Sequence, residues 1–141
     1  MVERYSVIGY GTFLTRGYWK NKVNLEICKI SGFRRILPVG NGFPYIIIDK
    51  ESSFWALKFD VTKEELQKLD YYEGTSVGFY KRIQIYVEMK NGKEKKAFIY
   101  IPTEDTIKRE NLSTEIDKYD KWKDIISKYH ELVEKFPELI R

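Results

Sequence analysis

Asn91-Gly92 stands between two stretches rich in β-branched and aromatic residues, Phe79 to Met89 and Lys95 to Ile101. A dipeptide of this kind favours positive φ, and between apolar alternating runs it joins neighbouring strands in a tight hairpin. The chain is therefore expected to build an antiparallel sheet, with strands as its frame. Three further segments read as strands on their alternating or compact apolar residues: Val23 to Arg35, Tyr45 to Ile48 and Phe54 to Val61. Tyr5 to Tyr10 (YSVIGY) is apolar and runs straight into Gly11-Thr12, the pattern of a buried strand that ends in a turn.

Two segments change period. From Thr62, with Glu65 three residues on, the sequence offers a capping box, in which each side chain satisfies a backbone N–H that the helix leaves unpaired; Gly74 supplies the stop. From about Ser113 to Phe136, Ile116, Tyr119, Trp122, Ile126, Tyr129, Val133 and Phe136 recur three or four apart, which predicts one long helix. Its bulky aromatics suit packing on a sheet better than a coiled-coil seam, although a dimer contact stays open. Strands first, a short helix among them and a long helix last give an α+β fold with a largely antiparallel or barrel-like sheet. No linker or repeat divides residues 1–141, so one domain is expected, with a core over about 5–102 and a terminal helix over about 113–136.

Composition removes several classes of function. Cys28 is the single cysteine and His130 the single histidine, so neither a disulfide nor a zinc or iron–sulfur site is expected, and no other cofactor is called for. His130 lies far from any nucleophile motif, which argues against acyl-enzyme chemistry on a histidine base. No apolar run approaches the roughly 20 residues of a membrane span, and Met1-Val2-Glu3-Arg4 does not open a secretory signal, so a cytoplasmic protein is expected. Net charge is only +4, although residues 1–35 hold seven basic side chains against two acidic ones. That excess suits an anion at this end; as a nucleic-acid surface, with Tyr18 and Trp19 for stacking, it is too small, and no nucleic-acid partner is expected. Chemistry, if present, falls to carboxylates, tyrosines and backbone.

One carboxylate is out of place. On the helix after Thr62 the buried stripe runs Leu66, Leu69 and then position 73, where an apolar residue is due and Glu73 stands. Burial and the negative end of the helix both disfavour the charged form, so its pKa should rise toward neutrality, where a carboxyl works as a proton shuttle. Two ordinary fates compete with this: fraying into solvent at the helix end, or pairing with Arg82. The second feature is the turn Tyr10-Gly11-Thr12-Phe13-Leu14. Gly11 allows a ligand close to the backbone, successive N–H groups can converge on an anion, and the Thr12 hydroxyl is expected to cap the turn that follows. A plain β-turn is the competing reading.

Taken together, YGTFL at Tyr10 to Leu14, LDYYEG at Leu69 to Gly74 and GFYKR at Gly78 to Arg82 resemble, in order and spacing, the γ-glutamylcyclotransferase superfamily with its small AIG2-like members. Ser31-Gly32-Phe33-Arg34 is similar to the family's second strand. Phe13 stands where the glutathione-degrading branch has Asn, and Ala56 stands where the family usually has a Gly beside the pocket. The likeness covers about Val7 to Ile101. It implies a small mixed, largely antiparallel β-barrel flanked by helices, and a reaction in which the α-amine of a γ-glutamyl group attacks its own side-chain carbonyl, giving 5-oxoproline and a free amine. By the same resemblance Glu73 would be the catalytic acid and base. The N–H groups of Gly11, Thr12 and Phe13, with Leu14 beside them, would hold the substrate carboxylate, while Tyr10 and Tyr80 would line its pocket. The partner is then a small γ-glutamyl molecule. A non-catalytic module that keeps the cavity for a small molecule or a protein is the alternative.

Overall fold

The structure is a computed structural model that describes residues 3–37, 43–109 and 119–141. Its strands are β1 (Arg4–Gly9), β2 (Val23–Ile36), β3 (Tyr45–Thr62), β4 (Tyr80–Met89) and β5 (Glu94–Pro102). They close into a barrel in the order β1, β3, β2, β4, β5. Neighbours run antiparallel except at the seam, where Val7 of β1 faces Phe98 of β5 in parallel. The mixed, largely antiparallel barrel expected from the sequence is the fold observed.

The turn that predicts the sheet has a specific geometry. Gly92 donates to the Met89 carbonyl (2.8 Å) and adopts φ 83°, while the Asn91 side chain accepts from the Lys93 N–H (2.9 Å). Only Gly92 of the pair takes positive φ, so β4 and β5 are joined by a hydrogen-bonded turn over Met89 to Gly92 that ends in a left-handed glycine. Tyr45 to Ile48 and Phe54 to Val61, expected as two strands, are one 18-residue strand. β2 pairs with both segments, Phe33 to Ile36 with Tyr45 to Ile48 and Ser31 with Ser53, while in the polar interval between them Asp49 accepts from the Glu51 N–H (3.1 Å) and the Ser52 hydroxyl (2.8 Å). A register shift between Ser31 and Phe33, with Gly32 at φ 86°, lets the long hairpin bend around the barrel.

Alternation sorts the side chains. Cys28, Ile30, Ala56 and Ile99 are fully buried and pack with Ile8, Tyr10 and Phe54 on one face of the closed sheet. The opposite face is covered twice. α2 (Lys63–Tyr72) lays Leu66 on Val7, Phe59 and Val61. α1 (Thr12–Thr15), a 3₁₀ turn at Tyr18–Asn21, α4 (Trp122–Ser127) and α5 (His130–Lys135) bury Leu14, Trp19, Trp122, Ile126 and Leu132 on Ile27 and Leu57. Each such apolar side chain contributes roughly 1.5–3 kcal/mol. Lys58, also fully buried, is neutralised by Asp60 and Glu26, each at 3.1 Å.

The long C-terminal helix is corrected. Residues 113–118, Ile116 among them, lie outside the described residues, and beyond them the chain forms two six-residue helices parted at Lys128 and Tyr129. Ser127 turns its hydroxyl onto the Asp124 carbonyl (2.6 Å), a local bond that competes with helix continuation. Tyr129 then leaves the helical region at ψ 83°. The break lets Leu132 reach the core and leaves Tyr129 exposed, which a straight stripe reverses. α3 (Glu104–Arg109) completes the helices, and among the described residues no helix is long and apolar enough to cross a membrane.

Candidate active site

α2 begins as its capping box requires: the Thr62 hydroxyl accepts from the Glu65 N–H (3.3 Å) and Glu65 accepts from the Thr62 N–H (3.0 Å). It ends at Glu73, whose N–H reaches the Leu69 carbonyl (2.9 Å), and Gly74 turns left-handed at φ 69°. A Cβ on Gly74 would lie 2.7 Å from the Phe79 ring, so glycine is required for space as well as conformation. Glu73 thus follows Leu66 and Leu69 on the covered side of the helix and is half-buried. Among the described residues its carboxyl has no hydrogen bond or ion pair, and burial pushes its pKa up.

The pairing with Arg82 that competes for Glu73 in the sequence does not form. Arg82 binds Asp70 (2.7 Å), one turn earlier on α2. The other Asp70 oxygen accepts from the Tyr100 hydroxyl (2.7 Å), and the Tyr100 carbonyl accepts from the Tyr10 hydroxyl (2.7 Å). This relay of bonds ties α2, three residues before Glu73, to β4, β5 and the end of β1. The sequence contains Asp70 inside LDYYEG without showing what it binds.

The Tyr10 to Leu14 turn is anchored from both sides. The space a Cβ would need on Gly9 is filled by the Phe13 ring, and Phe13 stacks on Phe59 at 4.3 Å and 10°. Gly11 sits against Pro44. The Tyr10 carbonyl accepts from Arg35 (2.8 Å), a fully buried guanidinium that also grips Asp120 with two nitrogens (2.6 and 2.9 Å) and lies over Phe54 at 4.7 Å. Leu14 does not line the cavity that holds Glu73; it packs into the core with Trp122, and its N–H is taken by the Gly11 carbonyl (3.0 Å). The expected Thr12 cap is absent: α1 starts at Thr12 itself, so Gly11, which has no side chain, holds the capping position. The amides of Thr12 and Phe13 open this helix and have no intrahelical acceptor.

A cavity of about 430 Å³ lies between α2 and this turn. α2 contributes Glu65, Lys68, Leu69, Tyr72 and Glu73, and across from them stand Phe13, Tyr18, Lys22 and Val61. Tyr10 and Tyr80 lie within electrostatic reach of Glu73 and of each other, and Tyr45 within reach of Tyr80, but none of the three lines this cavity. Burial raises the Tyr10 hydroxyl well above its ordinary value, with Tyr80 and Glu73 adding to the effect; burial, Glu73 and Tyr45 push Tyr80 up to about 12. All three phenols are protonated at neutral pH, and Tyr10 has already spent its proton on Tyr100. Ala56, at the position where the family usually has a Gly beside the pocket, is buried in the barrel core opposite Cys28 and lies outside this cavity. Tyr45, Arg35 and Asp120 are absent from the sequence-based site: an arginine inside a strand reads as exposed, and Tyr45 reads as core.

The fold defines a class. A solved gamma-glutamyl cyclotransferase superposes with a TM-score of 0.60 at 18% identity, covering 89% of this chain and 99% of that one. A protein from Arabidopsis thaliana gives 0.68 at 19% identity over 96% and 83% of the two chains, and an AIG2-like protein from Mus musculus gives 0.61 at 16% over 84% and 90%. At these identities the likeness is one of fold, the γ-glutamyl-cyclotransferase-like barrel. No curated protein matches the chain in sequence. The family model described as gamma-glutamyl cyclotransferase, AIG2-like, matches residues 7–124, and the chain belongs to that family.

Proposed function

We propose that this protein is a γ-glutamyl cyclotransferase, converting a γ-glutamyl amine or dipeptide into 5-oxoproline with release of the amine. The observation that carries the reading is the Glu73 carboxyl: half-buried, raised in pKa, free of protein partners among the described residues and set in the wall of a cavity of about 430 Å³. Family membership over residues 7–124 supports it.

The nucleophile belongs to the substrate. Its α-ammonium gives a proton to Glu73 and the freed amine attacks the γ-carbonyl carbon; the new C–N bond closes the ring, and the ring nitrogen sheds its surplus proton to solvent. The old C–N bond breaks as Glu73 returns the proton to the departing nitrogen, so one carboxyl serves as base and then acid. Holding amine and carbonyl in contact contributes on the order of several kcal/mol, since no second molecule has to be captured. In this reading the Gly11, Thr12 and Phe13 amides receive the substrate α-carboxylate, Tyr10 and Tyr80 wall the γ-glutamyl end, and Leu14 anchors the turn from behind.

Incubating the protein and its Glu73→Gln variant with a panel of γ-glutamyl amines and dipeptides, and measuring 5-oxoproline by mass spectrometry, tests the proposal. The variant should lose about 10²–10⁴-fold in turnover with its fold intact. The parent rate should fall on the acid side as Glu73 takes up its proton, with a midpoint above the usual carboxylate range. Full activity in the variant removes Glu73 from the mechanism. Ligand-induced shifts in melting temperature without product in the parent identify a binding module instead.

A further inference from the structure

We infer that the protein has a second binding site, for a free α-amino acid with an apolar side chain, between the start of β2 and the C-terminal segment. The inference does not rest on the cyclotransferase reading. A cavity of about 410 Å³ lies among Leu25 to Ile27 of β2, the β4–β5 turn at Met89 to Asn91, and residues 135–138, where α5 gives way to the 3₁₀ turn Pro137–Ile140. It shares no lining residue with the cavity beside Glu73. Its volume falls in the range of small-molecule sites.

Glu138 is the anomaly in its wall. The side chain is only 8% exposed, yet its one ion pair among the described residues is with Lys90 at 3.5 Å, and Lys90 is itself 75% exposed. A carboxylate has about four acceptor positions, and burial is costly unless they are filled. A ligand ammonium can approach to about 2.8 Å and fill what Lys90 leaves open. Lys90, so displaced, then needs an anion, and Lys135 offers a second cation: it forms no ion pair among the described residues and rests 5.6 and 5.9 Å over the rings of Trp19 and Phe136. Glu26, the other acid in the wall, is held by Lys58 (3.1 Å). A zwitterion answers both signs at once, its ammonium on Glu138 and its carboxylate toward the two lysines. A plain amine or a plain acid answers one sign only. Ile27 and Met89, both buried, with Leu25 and Phe136 beside them, give the apolar surface for the side chain.

Three compounds with one ring test this by titration calorimetry on the intact protein: L-phenylalanine, phenethylamine, which lacks the carboxylate, and 3-phenylpropionate, which lacks the ammonium. Phenylalanine should bind about tenfold or more tightly than either of the others. Glu138→Gln should reduce its affinity toward that of 3-phenylpropionate, and Lys90→Met combined with Lys135→Met toward that of phenethylamine, while Glu73→Gln should leave it unchanged. In the parent, amide NMR shifts on adding phenylalanine should cluster at 25–27, 89–91 and 135–138, a reading that needs no variant to fold. Absence of phenylalanine binding, equal affinity for the three compounds, or shifts confined to 13–22 and 61–73 around the other cavity overturn the inference. The yield of 5-oxoproline from γ-glutamyl compounds is a separate measurement, so the two readings fail independently.

Discussion

Glu73 carries a cost that its substitution should relieve. An unfolded glutamate titrates at its ordinary value, and the folded one titrates higher because it is half-buried. Between the two values the folded form binds more protons, so stability falls as pH rises through that window and stays reduced above it. Glu73→Gln should therefore raise the melting temperature at neutral pH, and the gain should fade as pH is lowered below the ordinary carboxylate value; a variant no more stable than the parent at pH 7 contradicts this. Two glycines give a contrast by the same method. Gly92 has open space where a Cβ would go, so Gly92→Ala should cost only the left-handed backbone, about 1–2 kcal/mol. Gly9→Ala must push the Phe13 ring off Phe59 and should lose more stability and, with the turn displaced, turnover as well. Glu73 and the turn were readable in the sequence because periodicity and glycine are local signals. The Asp70 relay and the Arg35 anchor were not, since their partners, Tyr100 and Asp120, lie 30 and 85 residues away.

At the level of elements, local chemistry is legible and docking is not. The hairpin at Asn91-Gly92 and the capping box at Thr62 are visible in single sequence windows, and both form. Thr62→Ala should cost about 1 kcal/mol in denaturant unfolding, a loss confined to the start of α2. The union of two expected strands into β3, and the parting of α4 from α5, depend on what the barrel surface offers: β2 pairs with both halves of β3, and the core accepts Leu132 in place of Tyr129. No window of sequence contains that information.

Across the whole molecule, ion pairs differ by what surrounds them. Lys20 and Glu131 are both well exposed, and removing either should change stability by less than about 1 kcal/mol. Asp120→Ala strands the fully buried Arg35 and should cost about 3–5 kcal/mol, together with turnover, because the Tyr10 carbonyl loses a fixed partner. Thermal unfolding and 5-oxoproline yield, measured side by side on the two variants, check the contrast. The span of that bond also bears on synthesis. Residues travel out of the ribosome in order, at about 5–20 per second, so Glu73 and the glycine turn are in solution several seconds before Asp120 arrives to hold Arg35. A nascent chain paused in that interval carries every proposed catalytic group and lacks the anchor that sets them. Emergence of Asp120 is thus the step that completes the anchor.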